Sequence, residues 1–480
     1  MYKNKLFRIN ILKKLTCLGL VVLTAIGTVA CKSTVSNSSA TNTSGDNTLT
    51  ISVITKDNYL DTAIKKYKEK HPGTIINIKE YTSDPLPGGN EGKVSRSVED
   101  EKPEDVEKYV TAMNTELMSG KGTDIISLNT LPYEKYIDKN LLANLSDMIK
   151  GYKNFDLNNY YSNILDAMKY NGNLYSFPLS ISLNVLETNK ALLDKYNIKV
   201  DDNKWNWNDF EDTAAKIVDG SKKDGVQGIY ALSGVDGSML VSYLVSENYN
   251  KFVDKTQKTL SFDSKEFIEL MNLAKSMIDK NYVNTDTADG KVGNLTKRGG
   301  VVFSPTKLSM YFDLMLKKQV YEGGVDFLKY PGEGDNLSFT ATTTFGINNK
   351  SSNKDLAWDF LKFLVSDEMM SESSWTSFPI NKTASSKAAQ DTIDTSKKAI
   401  GNNKLKFADN GQVIKITKPL TQEDVDIVPE LISKAKKYAP VDQKVLDIVQ
   451  EESKVFFDGQ KTANDAAKTI QDRVNTYINE

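Results

Sequence analysis

The chain has 480 residues, more than one typical hydrophobic core accommodates, so two domains are expected. A formal charge of −2, with 61 basic and 63 acidic residues, gives no basic field for nucleic acid, which is excluded as a partner. Two cysteines and one histidine leave no disulfide framework, thiol catalyst, histidine-based metal site or Ser-His-Asp triad, and neither a metal nor another cofactor is expected.

Residues 1–30 read as a secretory leader. Lys3, Lys5, Arg8, Lys13 and Lys14 form a basic start, and Leu15 to Ile26 is an apolar run too short to span a bilayer. The small-residue junction Thr28-Val29-Ala30-Cys31 resembles a bacterial lipobox, with Thr28 where Leu is usual. The resemblance implies lipidation of Cys31 and a lipid anchor on the extracytoplasmic face of the cell membrane. Residues 31–47 are rich in Ser, Thr and Asn and read as a disordered tether.

The core is expected to start with a strand on which Leu49, Ile51 and Val53 alternate. Leu60, Ala63, Ile64 and Tyr67 then fall on one helix face, stopped by His71-Pro72-Gly73, and Ile76 and Ile78 alternate in a second strand. This β-α-β order predicts a parallel sheet with covering helices. Residues 84–103 read as a loop. A helix bearing Val106, Tyr109, Val110, Met113 and Leu117 ends at Ser119-Gly120, and residues 124–128 read as a buried strand. Farther on, residues 176–186 are extended, Trp207 opens a helix, residues 299–304 form a strand and 339–347 are extended. Leu356, Phe360, Leu361 and Leu364 mark another helix. In the last helix Ala463 to Tyr477 share a face, with Thr462 and Asp465 as its cap pair.

Several segments, in order, resemble extracellular solute-binding proteins of the maltose-binding type (family 1). Leu117-Met118-Ser119-Gly120-Lys121-Gly122-Thr123-Asp124-Ile125-Ile126 is similar to the family's small-Gly-x-x-Pro-Asp-Ile run, with Thr123 in place of Pro. Tyr136 to Leu145, Asn171 to Pro178, Thr188 to Leu193, Trp207 to Phe210, Ile347 to Leu361, Phe378 to Lys382 and Phe456 to Gly459 complete the set. The resemblance implies an α/β periplasmic-binding-protein-like fold of two lobes around a hinged cleft. Lobe I is expected over 48–185 and 346–395, and lobe II over 186–340 and 405–480. Crossings are expected near Ser182–Glu187, near Thr342–Phe345 and within 380–405. The implied role is the ligand-binding component of an ATP-driven importer, acting as a monomer, with a membrane permease as its partner and hinge closure signalling the loaded state.

In such sheets ligands sit beyond the carboxyl ends of strands. The candidate contacts are Asp57, Asn58 and Tyr59, then Asn129 and Thr130, then Ser180 and Ser182, with Asp236, Ser304, Thr306 and Thr343 from later loops. Asp57 or Asn58 has a competing reading as a helix cap, and Asp236 as a turn residue. Trp375, in a polar run without amphipathic pattern, is the aromatic candidate for stacking on a sugar; Trp207 and Trp358 read as core. The preponderance of Ser, Thr and Asn points to a neutral polyol, a carbohydrate. The loop after Leu128 lacks the acid–arginine pair of the maltose-binding pattern, so the ligand need not be a maltodextrin. A polyamine or peptide ligand, and a glycoside hydrolase with paired carboxylates, are the competing readings.

Overall fold

The computed structural model describes residues 47–84, 101–151, 155–254, 259–286, 299–321, 323–332, 336–371, 377–402, 407–409, 412–439 and 442–479. The leader, Cys31, residues 31–46 of the tether and Trp375 lie outside them.

Nine strands join in one mixed sheet: β1 (Thr48–Val53), β2 (Ile75–Glu80), β3 (Ile125–Ser127), β4 (Phe177–Asn189), β5 (Phe303–Leu308), β6 (Val325–Leu328), β7 (Leu337–Ile347), β8 (Phe378–Pro379) and β9 (Ala435–Tyr438). The main path runs β6-β4-β7-β3-β1-β2, with β5 and β8 on β4 and β9 on β7. β1 is parallel to β2 and β3, as the β-α-β pattern requires, whereas β3 and β4 both run antiparallel to β7.

The longer helices are α1 (Asn58–Lys70), α2 (Pro103–Ser119), α3 (Trp207–Lys223), α4 (Gly237–Glu247), α5 (Lys265–Asp279), α6 (Tyr311–Val320), α7 (Lys354–Leu364), α8 (Lys382–Ala399), α9 (Gln422–Lys434), α10 (Gln443–Phe457) and α11 (Ala463–Asn479). Their ends follow local chemistry. α2 stops at Gly120, whose φ of +74° suits a residue without Cβ. Thr462 and Asp465 make the expected cap pair ahead of α11. None of the helices among the described residues is long and apolar enough to cross a membrane.

Asp124 ties the start of β3 to its neighbours. Its carboxylate accepts from Thr50 N–H (2.7 Å), the Thr50 hydroxyl (2.6 Å) and the Ser351 hydroxyl (2.6 Å). Thr123, which stands where the family has Pro, donates to Ser52 Oγ at 2.9 Å. A buried hydroxyl pair thus fills the position.

Two large cores flank the sheet. The first gathers β1, the odd-numbered residues Phe177 to Val185 of β4, Leu308, α6, β7, α7, α8 and α9. The second holds Leu186, Trp205, α3, α4, α5, Phe303, Tyr330, α10 and α11. The chain therefore passes between cores at Val185–Leu186, between Phe303 and Leu308, between Leu316 and Tyr330, between Tyr330 and Leu337, and between Ala435 and Val445. Residues Leu308 to Leu316, Leu337, Phe339 and Ile414 to Ala435 pack in the first core, although the sequence division assigned 308–340 and 414–435 to the second lobe.

The strand expected over 299–304 forms later, as β5. Gly299 adopts φ +70°, Val301 makes a single bridge to Tyr230, and regular pairing with β4 starts only where Phe303 meets Thr188.

A crevice where strand ends converge

β3 and β9 pair with the same edge of β7 and approach each other along it. β9 runs parallel to β7 and reaches Phe339, where Ala439 N–H donates to the Phe339 carbonyl. β3 runs antiparallel, from Ile347 to Phe345, and Leu128 N–H adds a bond to the Thr344 carbonyl. The carboxyl ends of the two strands thus face each other across Thr340 to Thr343. These four residues are partly exposed, whereas Phe339 and Thr344 on either side are buried. A place where strand direction changes, with the carboxyl-end loops diverging, is where open α/β sheets bind ligands.

The register of β7 against β4 shifts between Ala341 and Thr343, and again before Thr344. On the opposite edge, which β3 and β9 share, the interval between them leaves ladder groups with no strand partner. Asn129, in the loop after β3, supplies what is missing. Its Nδ2 donates to the Ala341 carbonyl at 2.9 Å, and its Oδ1 accepts from Thr344 N–H at 2.8 Å and from the Thr344 hydroxyl at 3.2 Å. Both lone pairs of the amide oxygen and one of its two N–H groups are committed, leaving one N–H for a ligand.

The even-numbered face of β4 forms the polar floor beside this edge. Ser180 shares a hydrogen bond with Thr342 (2.7 Å) and Ser182 with Ser309 (2.9 Å). Asn184 donates to Ser338 (3.3 Å), and Ser338 donates to the buried Glu247 at the end of α4 (3.3 Å).

The remaining candidates divide. Thr343 sits in the crevice, and Thr130 beside Asn129 has a buried hydroxyl with no hydrogen-bond partner among the described residues. Asp57 is the N-cap of α1 and accepts from Leu60 N–H at 2.8 Å. Burial raises its carboxyl pKa, the Leu60 N–H opposes this, and the Asp61 carboxylate adds to it. Asn58 is the first residue of that helix, and Tyr59 donates its hydroxyl to the Leu364 carbonyl while packing on the first core. Asp236 caps α4 through Met239 N–H (2.8 Å) and takes the Ser238 hydroxyl (2.7 Å). It lies one helix length, about 16 Å, from Glu247, and its hydrogen bonds are to the first turn of α4. Ser304 and Thr306 are partly exposed on β5, paired with Glu187 and Val185. Trp205 is buried, its indole N–H donating to the Lys329 carbonyl at 3.2 Å, and Trp358 is wholly buried.

Residues outside the sequence candidates complete the crevice. Tyr133 and Glu134 follow Asn129-Thr130 on the same loop, in the short helix Tyr133–Asp138, and Tyr438 ends β9 from the opposite side. The Tyr438 ring lies 5.5 Å from that of Phe339. Tyr133 and Tyr438 are both partly exposed, yet protein surrounds them closely enough that burial drives each phenol pKa far up. Tyr438, then the Glu134 carboxylate and Tyr170, add to the Tyr133 shift, and Glu134 adds to that of Tyr438. Both stay protonated at neutral pH, so each offers an aromatic face together with an O–H that donates and accepts. Two tyrosines and a carboxylate would orient a molecule with apolar C–H faces and many hydroxyls. The sequence signal for Tyr133 is its place just past a buried strand; nothing local marks Tyr438.

The family model described as bacterial extracellular solute-binding protein matches residues 90–400. Solved structures share the fold at low identity. The sugar-binding protein MalE of Xanthomonas citri aligns at 13% identity with a TM-score of 0.59, over 89% of this chain and 96% of its own. A family 1 extracellular solute-binding protein from Alicyclobacillus acidocaldarius aligns at 14% and 0.58, over 90% and 98%. An ABC substrate-binding protein from Listeria monocytogenes, solved in complex with cycloalternan, aligns at 18% and 0.54, over 90% and 99%. With its crevice at converging strand ends and a family match over more than half its length, the chain belongs to the bacterial extracellular solute-binding proteins.

Proposed function

We propose that this protein captures a carbohydrate, an oligosaccharide in particular, and delivers it to the permease of an ATP-driven importer. The observation that carries the reading is the pairing of two partly exposed tyrosines, Tyr133 and Tyr438, across the Thr340–Thr343 edge, with Glu134 beside them. Stacking aromatics match the C–H faces of a sugar, while Glu134, Thr343, Thr130 and the free N–H of Asn129 match its hydroxyls. Fold relatives whose known ligands include cycloalternan support the same class. One lobe is built on each core, and closure about the crossings brings the second lobe over a ligand held at Tyr133 and Tyr438. The protein binds as a monomer, leaves its ligand chemically unchanged and is held at the membrane by a lipid on Cys31, a reading supported by Thr28-Val29-Ala30-Cys31 and the polar tether.

Thermal unfolding of the mature protein against mono- and oligosaccharides, with polyamines and peptides as controls, tests this. A ligand bound only by the folded state adds about 2.7 kcal/mol at a hundredfold excess over its Kd. A raised midpoint with one sugar class is expected. A rise with a polyamine or peptide and none with any sugar refutes the carbohydrate assignment.

A further inference from the structure

On the reading that the Thr340–Thr343 crevice is the ligand site, we infer that Asn129 is a positioning residue: its carboxamide couples the ligand-facing loop, Asn129 to Glu134, to the bulged strand β7. The bulge interrupts backbone pairing between Ala341 and Thr344. The Asn129 amide presents an acceptor and a donor in the place of a peptide group, and the bonds of 2.8 Å and 2.9 Å engage one residue on each side of the bulge. No strand reaches Thr340 to Thr343 along this edge, since β9 stops at Phe339 and β3 at Phe345. The side chain thus occupies the β7 edge left between β3 and β9, the strand whose continuation leads to the second core at Val445.

Two consequences follow. The bulge has a fixed geometry while Asn129 holds it, so β7, which the chain enters from the second core between Tyr330 and Leu337, keeps one arrangement when the crevice is empty. The loop bearing Tyr133 is placed by the same bonds, so a change in β7 moves the tyrosine that meets the ligand. Beyond the one N–H it leaves for a ligand, Asn129 therefore acts through β7 and Tyr133, and its committed oxygen is unavailable to a ligand.

The test uses the ligand-free full chain carrying Cys17→Ser and Cys31→Ser, with spin labels on Lys68→Cys in α1 and Glu269→Cys in α5, both exposed positions. Amide hydrogen exchange over 339–345 and the distribution of label-to-label distances are read for wild-type Asn129 and for Asn129→Ala. Expected are at least about tenfold faster exchange in that segment, since one protecting bond of about 1.4 kcal/mol is a factor of ten, and a broader distance distribution. Faster exchange with an unchanged distribution overturns the coupling and leaves a local staple; unchanged exchange overturns the bridge itself. Thr344→Val keeps the backbone bond and deletes only the hydroxyl contact, so it is expected to match wild type in both readouts. If it behaves like Asn129→Ala, packing and not the carboxamide sets the hinge, and the inference fails. Should Asn129→Ala not fold, Asn129→Asp is read in its place. It keeps an acceptor for Thr344 N–H but sets a carboxylate oxygen against the Ala341 carbonyl, and the same two changes are expected. Neither readout needs a ligand, so failure to find a carbohydrate leaves this result standing and the two failures separable.

Discussion

Asp124→Ala removes three acceptor contacts at one stroke, and its cost follows from their geometry. The carboxylate is nearly buried and accepts from Thr50 N–H at 2.7 Å, Thr50 Oγ1 at 2.6 Å and Ser351 Oγ at 2.6 Å. Hydrogen bonds to a charged group contribute about 1.5–3 kcal/mol each, and an orphaned buried donor costs a further share. The three bonds depend on one side chain and do not add fully, so a loss of about 3–5 kcal/mol is expected for alanine. Asparagine has a milder outcome. Its oxygen takes the place facing Thr50, and its N–H group donates to the Ser351 hydroxyl, so all three contacts survive without charge assistance. A loss of about 1 kcal/mol is expected. Urea unfolding followed by circular dichroism reads both variants as shifts of midpoint at constant slope. Asparagine as damaging as alanine, or alanine within about 1 kcal/mol of wild type, refutes the reasoning that Asp124 binds β1 and the residues after β7 through its acceptors.

Asp57 gives a pH-dependent effect. Its carboxyl pKa is raised by burial against the Leu60 N–H bond, so its ionised form costs stability above the folded-state pKa and the cost fades as pH falls. Asp57→Asn keeps the cap and is expected to be more stable than wild type at pH 7, with the advantage shrinking as pH drops and gone below the ordinary value of 3.8. Asp57→Ala loses the cap at about 1 kcal/mol. Thermal midpoints across pH check both. Gly237 opens α4, and a Cβ there would lie 2.3 Å from two ring carbons of Phe457. Gly237→Ala is expected to cost about 1–3 kcal/mol, with Gly237→Ala, Phe457→Ala recovering about half of it in a double-mutant cycle.

Local pattern carried the parts of the fold that depend on local pattern. α1, α2, α7 and α11 follow apolar residues at helical spacing, and Gly120 and Thr462 mark ends whose chemistry lies within a few residues. β1 reads from its own alternation. The site was less legible because its decisive contacts are long-range. Asn129 meets residues 212 and 215 positions away, and Ser180 meets one 162 away, so residues chosen as free polar groups are already occupied. Asp57 took the competing cap role that its spacing allowed, and Asp236, whose competing reading was a turn, caps α4. Tyr438 depends on β9, which follows a helix containing Pro429 and pairs with a strand a hundred residues earlier, and neither is visible in a window of sequence. The packing of Ile414 to Ala435 in the first core depends likewise on α9 packing against β7, β9 and α6.

The most direct measurement is isothermal titration calorimetry of the mature protein and of the Tyr133→Ala, Tyr438→Ala variant against oligosaccharides, a polyamine and a peptide. The expected result is binding of one carbohydrate class by wild type and at least about tenfold weaker binding by the double variant, roughly 1.4 kcal/mol, with its unfolding midpoint little changed. A bound carbohydrate whose affinity survives the loss of both tyrosines, or heat from the peptide or polyamine alone, would contradict the account.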